Sequence, residues 1–235
     1  MEGLDFHPQT GALYGWDDVS DQLMRINHAN GTGRFVGPSG FEPDASGINQ
    51  LGRPPSGVGL SFDHAGNLFL ADEGRQRLWS LDPNTGAATI RSVETGGEIA
   101  ALAFQGGRLL GIDDRARTAP GDPLFDVLVN VEPGQPGTTV RGGSQRIGTG
   151  LSPGFNTIDD PGLDAFSTGP LEGLDDRGIL FTVDPATGVG TFLPHITDAG
   201  FKSIALIPEP SSMLLLGSGL AGLGLLRRRV SLEPT

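Results

Sequence analysis

The chain has 235 residues, a formal net charge of −12 and no cysteine. It therefore has no disulfide, thiolate metal site or cysteine nucleophile. An acidic surface with Lys202 as its single lysine repels phosphate backbones and excludes nucleic-acid binding.

With 38 glycines and 18 prolines the chain must turn often, which argues for a sheet-based body rather than a helical bundle. A repeat begins at once. Leu4-Asp5-Phe6, a turn ending at Gly11 and Leu13-Tyr14-Gly15-Trp16-Asp17 open the first unit. The second opens with Leu60-Ser61-Phe62, a turn at Gly66 and Leu68-Phe69-Leu70-Ala71-Asp72. Leu102-Ala103-Phe104 with Leu109 to Asp113, and Leu163 to Phe166 with Leu171 to Asp175, open the third and fourth. Phe201 to Leu206 reads as a fifth start.

The second half of each unit is sharper. Leu78-Trp79-Ser80-Leu81-Asp82-Pro83-Asn84-Thr85-Gly86 corresponds to Leu180-Phe181-Thr182-Val183-Asp184-Pro185-Ala186-Thr187-Gly188. The anchors Ile26, Leu81, Val131 and Val183 are 55, 50 and 52 residues apart. In Asp-Pro-x-Thr-Gly the Asp can bond its own backbone, Pro presets φ and Gly accepts a positive φ, so the segment predicts a tight turn. Each unit thus predicts four strands, and such units make an all-β body of about four β-propeller-like blades, an incomplete ring if blades are missing at the N-terminus. Gly59 to Thr89 resembles an NHL-type propeller repeat, through Gly66 to Asp72 and Arg77-Leu78. Pro38 to Pro55 and Arg115 to Gly162 read as long Gly/Pro-rich insertions.

Three patterns offer chemistry. Gly150-Leu151-Ser152-Pro153-Gly154 matches a nucleophile elbow, but the residue after the serine is proline, which lacks the N–H of an oxyanion hole. His7, His28, His64 and His195 have no metal-ligand spacing; His7 and His64 fall in corresponding turns, as exposed polar residues. The acidic pairs Asp17-Asp18, Asp72-Glu73, Asp113-Asp114 and Asp175-Asp176 recur at the end of one strand per repeat. Asp72, Asp113 and Asp175 are thereby candidate oxygen ligands for Ca²⁺. The other reading is that each acid caps a turn or pairs with an arginine such as Arg77, Arg115 or Arg177. Asp159-Asp160 with Asp164 form a further acidic cluster open to the same two readings.

The tail is the most informative segment. Pro208-Glu209-Pro210 is followed by the uncharged stretch Ser211 to Leu226 and by Arg227-Arg228-Arg229. As a helix, residues 211–226 would span about 24 Å, against about 30 Å of bilayer core, a short transmembrane helix suited to a transient anchor. The arginines are expected on the cytoplasmic side and the prolines hold residues 207–210 extended. Gly217-Ser218-Gly219-Leu220-Ala221-Gly222 matches a dinucleotide fingerprint, but lacks the preceding strand and the acidic residue about 20 positions on.

Pro-Glu-Pro, apolar span and arginine cluster together resemble the PEP-CTERM sorting signal of exported Gram-negative proteins. The resemblance implies two parts, a propeller-like domain at 1–206 and a sorting signal at 207–235. It implies recognition of Pro208, Glu209 and Pro210 by an exosortase, transit through the inner membrane, and delivery to the cell surface or medium, with a link to exopolysaccharide and biofilm. Such export needs an N-terminal signal peptide, and Met1-Glu2-Gly3-Leu4 does not resemble one; we expect that a longer N-terminus is missing. The body reads as non-enzymatic, for binding or scaffolding and without a cofactor. The alternative is a Ca²⁺-dependent lactonase- or esterase-like hydrolase using Asp72, Asp113 and Asp175.

Overall fold

A computed structural model of the chain describes residues 2–41, 58–73, 76–92, 95, 97–116, 125–133, 144–147, 151, 162–165, 168–175, 177–193 and 203–206. Among these, sixteen strands make four antiparallel four-stranded sheets, each built from consecutive strands. Blade one holds β1 (Glu2–Phe6), β2 (Leu13–Asp17), β3 (Gln22–Asn27) and β4 (Thr32–Gly37); blade two holds β5 (Val58–Phe62), β6 (Leu68–Asp72), β7 (Arg77–Leu81) and β8 (Ala88–Ser92). Blade three holds β9 (Ile99–Gln105), β10 (Arg108–Ala116), β11 (Phe125–Val131) and β12 (Ser144–Arg146); blade four holds β13 (Gly162–Ala165), β14 (Leu171–Leu174), β15 (Leu180–Val183) and β16 (Gly190–Phe192). This is a four-blade β-propeller arrangement. Region 115–162 is not wholly an insertion, because two of blade three's strands lie in it.

The predicted turns form as their chemistry requires. The Asp82 side chain accepts the Asn84 N–H at 2.8 Å, its carbonyl accepts the Gly86 N–H at 2.8 Å, and Gly86 has φ +79°. Asp184 and Gly188 repeat this in blade four, with Ala186 as donor. Asn27 does the same in blade one through Ala29 and Gly31. The bonded Asn84 N–H holds the Asp82 carboxyl below its ordinary pKa.

Alternation along each strand gives every blade two faces, and the core lies in the seams between unlike faces. Tyr14, Trp16 and Leu23 of blade one pack on Leu68, Leu70, Trp79 and Leu81 of blade two. Phe69, Ala71 and Leu78 on blade two's other face meet Leu109, Val129 and Val131 of blade three. Leu110, Ile112 and Leu128 then meet Leu171, Phe181 and Val183 of blade four. Phe41 lies edge-on between Trp16 and Trp79, with centroids at 5.7 and 5.3 Å, a preferred aromatic geometry.

Register pairs Leu13 with Ile26 and Met24 with Phe35 on blade one's remaining face. These match Leu68, Leu81, Trp79 and Ile90 of blade two. Trp79 is fully buried, whereas Phe35 is 50% exposed.

Candidate functional site

The inner strands β1, β5, β9 and β13 neighbour one another in that order around the axis. They approach so closely that glycine is needed where backbones meet. A Cβ on Gly3 would stand 2.7 Å from the Leu60 Cβ; one on Gly59 would stand 2.6 Å from the Leu102 nitrogen. One on Gly162 would stand 2.4 Å from the Ser203 Cα and 2.9 Å from the Ile204 nitrogen. Residues 203–206 thus flank β13 as β5 flanks β1.

Equivalent register positions of the four inner strands hold Asp5, Ser61, Ala103 and Asp164, paired with Tyr14, Phe69, Leu110 and Glu172 of the second strands. Asp5 and Asp164 are both buried and do the same work one blade apart. Oδ1 of Asp5 accepts the Phe6 N–H at 2.6 Å, and Oδ2 accepts the Phe62 N–H of the next inner strand at 2.6 Å and the Ser61 hydroxyl at 3.3 Å. Oδ1 of Asp164 accepts the Ala165 N–H at 2.6 Å, and Oδ2 accepts the Leu206 N–H. Each carboxyl stitches its inner strand to the segment beside it, β5 for Asp5 and residues 203–206 for Asp164. Burial pushes the Asp5 carboxyl up to about 7. Burial first, then the charge of Asp5, holds Asp164 well above the usual carboxylate range, with Glu172 adding a smaller push. Both carboxyls are raised by burial and both have bonded partners, which suits a structural clamp.

Of the acids singled out by recurrence, Asp17 and Asp72 end their second strands, Asp175 lies just beyond its own, and Asp113 lies within β10; Asp17, Asp113 and Asp175 bond close by. Asp175 is fully buried and accepts the Arg177 and Ile179 N–H groups, while its other oxygen pairs with the Arg177 guanidinium at 2.5 and 2.9 Å. Asp17 caps Ser20. Asp113 accepts the Glu98 N–H ahead of β9 at 3.1 Å. Asp72 is fully buried at the end of β6. Among the described residues no three His, Cys, Asp or Glu side chains gather where a metal could sit. His7 and His64 are not merely turn residues: each ring packs on the next inner strand's phenylalanine, Phe62 at 5.0 Å and Phe104 at 5.1 Å.

Asp5 and Asp164 were not singled out as a pair by the sequence. Their signal was an acid set between apolar residues of a strand, Leu-Asp-Phe and Leu-Asp-Ala. Pro208, Glu209, Pro210, Arg227, Arg228, Arg229 and the apolar span 211–226 lie outside the described residues.

The family model for the PEP-CTERM protein-sorting motif matches residues 206–229. No curated protein matches the chain. Among solved structures, the PQQ-bound aldose sugar dehydrogenase of Streptomyces coelicolor is similar at 12% identity and TM-score 0.49, over 88% of this chain and 84% of that one. Virginiamycin B lyase of Staphylococcus aureus is similar at 12% identity and TM-score 0.47; the match covers 86% of this chain and 59% of the lyase. A gluconolactonase of Xanthomonas campestris is similar at 16% identity and TM-score 0.45, over 85% of this chain and 76% of that one. None of these proteins lends its chemistry to this one.

Proposed function

We propose that the chain is an exosortase-sorted exported protein whose propeller is a non-enzymatic binding or scaffolding body, displayed at the cell surface or released. The observation that carries this is the sorting motif, which begins at residue 206 where the described body ends. An exosortase would read Pro208-Glu209-Pro210 while residues 211–226 hold the inner membrane and Arg227 to Arg229 stay cytoplasmic. Exopolysaccharide is a partner this destination would bring within reach.

The experiment is processing in an exosortase-positive host, with the chain fused behind a working export signal. Mass spectrometry of the surface or released protein should find the C-terminal tail removed. A mature protein that retains every residue to Thr235 would overturn the reading.

What supports a non-enzymatic body is the way its acids are spent. Asp113 accepts an N–H of its own blade, and Asp175 spends one oxygen on two N–H groups and the other on the Arg177 guanidinium, so Ca²⁺ would have to displace Arg177 to gain Asp175 as a ligand. Calorimetry with CaCl₂ on the full chain in detergent should therefore give no saturable heat. A one-to-one binding isotherm lost in Asp113→Asn and Asp175→Asn would restore the hydrolase alternative.

A further inference from the structure

In each blade the residue before the third-strand anchor lies opposite a residue of the fourth strand. The pairs are Ser80 with Thr89 in blade two, Asn130 with Gln145 in blade three and Thr182 with Thr191 in blade four, all neutral. In blade one the same register sets Arg25 opposite Arg34. Like charges directly opposite on neighbouring strands repel, and a chain at −12 has more acids than bases with which to quench them. Yet among the described residues neither guanidinium makes an ion pair or a hydrogen bond.

The two arginines line a cavity of about 410 Å³ between the turn after β1 and the turn after β3, a volume in the range of small-molecule sites. No Asp or Glu among the described residues lines it. The rest of its polar wall can donate. The Asn27 side-chain oxygen accepts the Ala29 N–H, which leaves its amide hydrogens, and the Thr10 hydroxyl accepts the Ala12 N–H, which leaves its own hydrogen. His28 lines the same cavity, its ring edge-on to Phe6 at 5.6 Å.

We propose that this cavity binds a small polar molecule through one oxyanion group, a phosphate monoester or a carboxylate. Opposed Cβ atoms of a strand pair stand about 4.5–5.5 Å apart, so both guanidiniums can reach one anion, and their planar forks suit two-point bonding to carboxylate or phosphate. Beyond that group the field of a chain at −12 repels further negative charge, which disfavours an extended polyanion. The proposal rests on the reading of the body as a binding module and is independent of the sorting motif.

Two exposed charge-assisted contacts correspond to a dissociation constant of about 1 mM. The full chain in non-ionic detergent, at ionic strength held constant with NaCl, is titrated with glucose 6-phosphate, glucuronate, glucose and polygalacturonate. At about 20 mM one or both of the small anions should raise the melting temperature by about 4–7 °C, and calorimetry should show saturable binding; glucose should do neither. Comparing glucose 6-phosphate with glucuronate tells which oxyanion the site takes. Arg25→Gln and Arg34→Gln should each weaken binding at least about tenfold, and in NaCl alone each should melt about 1–2 °C above wild type, because the facing repulsion is gone. Arg108→Gln, which loses a guanidinium bonded to the Pro185 carbonyl, should bind as wild type does. If neither small anion binds saturably, or if both Arg25→Gln and Arg34→Gln bind like wild type, the proposal is overturned and the sorting reading stands on its own experiment. Tighter binding of polygalacturonate than of glucuronate, per uronate residue, overturns the small ligand in favour of a polymer. Saturable binding in which the anion is recovered chemically altered upholds the site and defeats the non-enzymatic reading.

Discussion

Between pH 8 and pH 5 this propeller should become more stable, by about 2.5 kcal/mol, where most proteins gain little or begin to weaken. The cause is Asp5. Its carboxyl is buried and sits at about 7, against an ordinary value of 3.8. From about pH 4 to about pH 7 the folded chain therefore binds a proton that the unfolded chain has released, and linkage makes stability fall as pH rises. The contribution is complete below the unfolded value and is lost as pH rises through the folded one. Protonation does not break the clamp: the neutral acid can still accept the Phe6 and Phe62 N–H groups and can donate to the Ser61 oxygen. Asp164 acts in the same direction, because burial and the Asp5 charge raise it as well. For a domain of this size the melting temperature should be about 5–10 °C higher at pH 5 than at pH 8. Asp5→Asn should remove much of that slope, and Asp5→Asn with Asp164→Asn nearly all of it. A melting temperature that falls steadily from pH 8 to pH 5, or a double variant that keeps the wild-type slope, would sink the assignment.

Gly59→Ala should cost about 3 kcal/mol, from one methyl. The added Cβ would stand 2.6 Å from the Leu102 nitrogen, 2.7 Å from the Ala101 carbonyl carbon and 2.9 Å from the Ala101 Cα. All three are main-chain atoms of β9, so no side-chain rotation relieves the clash. The inner strands must part, and blades two and three share the buried seam of Phe69, Ala71 and Leu78 against Leu109, Val129 and Val131. Overpacking a well-filled core costs typically 1–3 kcal/mol, and a backbone clash at a ring seam belongs at the upper end. The melting temperature should drop by about 6–12 °C. Gly106→Asn is the control: a Cβ there meets nothing within 4 Å, and Asn tolerates its φ of +59°. A Gly59→Ala protein that melts within about 2 °C of wild type would show that the inner strands are less tightly joined than described.

The repeat was legible because its strands carry local chemistry. Ile26, Leu81, Val131 and Val183 all fall in third strands, and the Asp82 and Asp184 turns close with the bonds their residues suggest. Blade three's outer strands were harder to see, because glycine and proline crowd the segment that holds β11 and β12. The recurrence of Asp17, Asp72, Asp113 and Asp175 was plain, but ligand and turn cap differ only in which way an oxygen points. Asp5 and Asp164 were hidden for another reason. Their partners, Phe62 and Leu206, lie 57 and 42 residues away, a separation that only the ring collapses. Phe201 to Leu206 did read as a fifth start, yet nothing in its residues told that residues 203–206 would stay outside any ladder.

Each of the three seams among the described residues joins unlike faces, so attachment between blades has a direction. The half-exposed face of Leu13, Met24, Ile26 and Phe35 is complementary to a face of the other kind and not to itself. Two copies meeting there would set like against like. The unlike face on blade four carries Glu172 opposite Thr182, next to the pair Leu174 and Leu180. Head-to-tail addition of one molecule to the next would bury that carboxylate in an otherwise apolar seam, a cost that Leu174 and Leu180 offset only in part. Glu172 thus serves as a gatekeeper: the surface that could start a filament is matched, on the same molecule, by one charged enough to stop it.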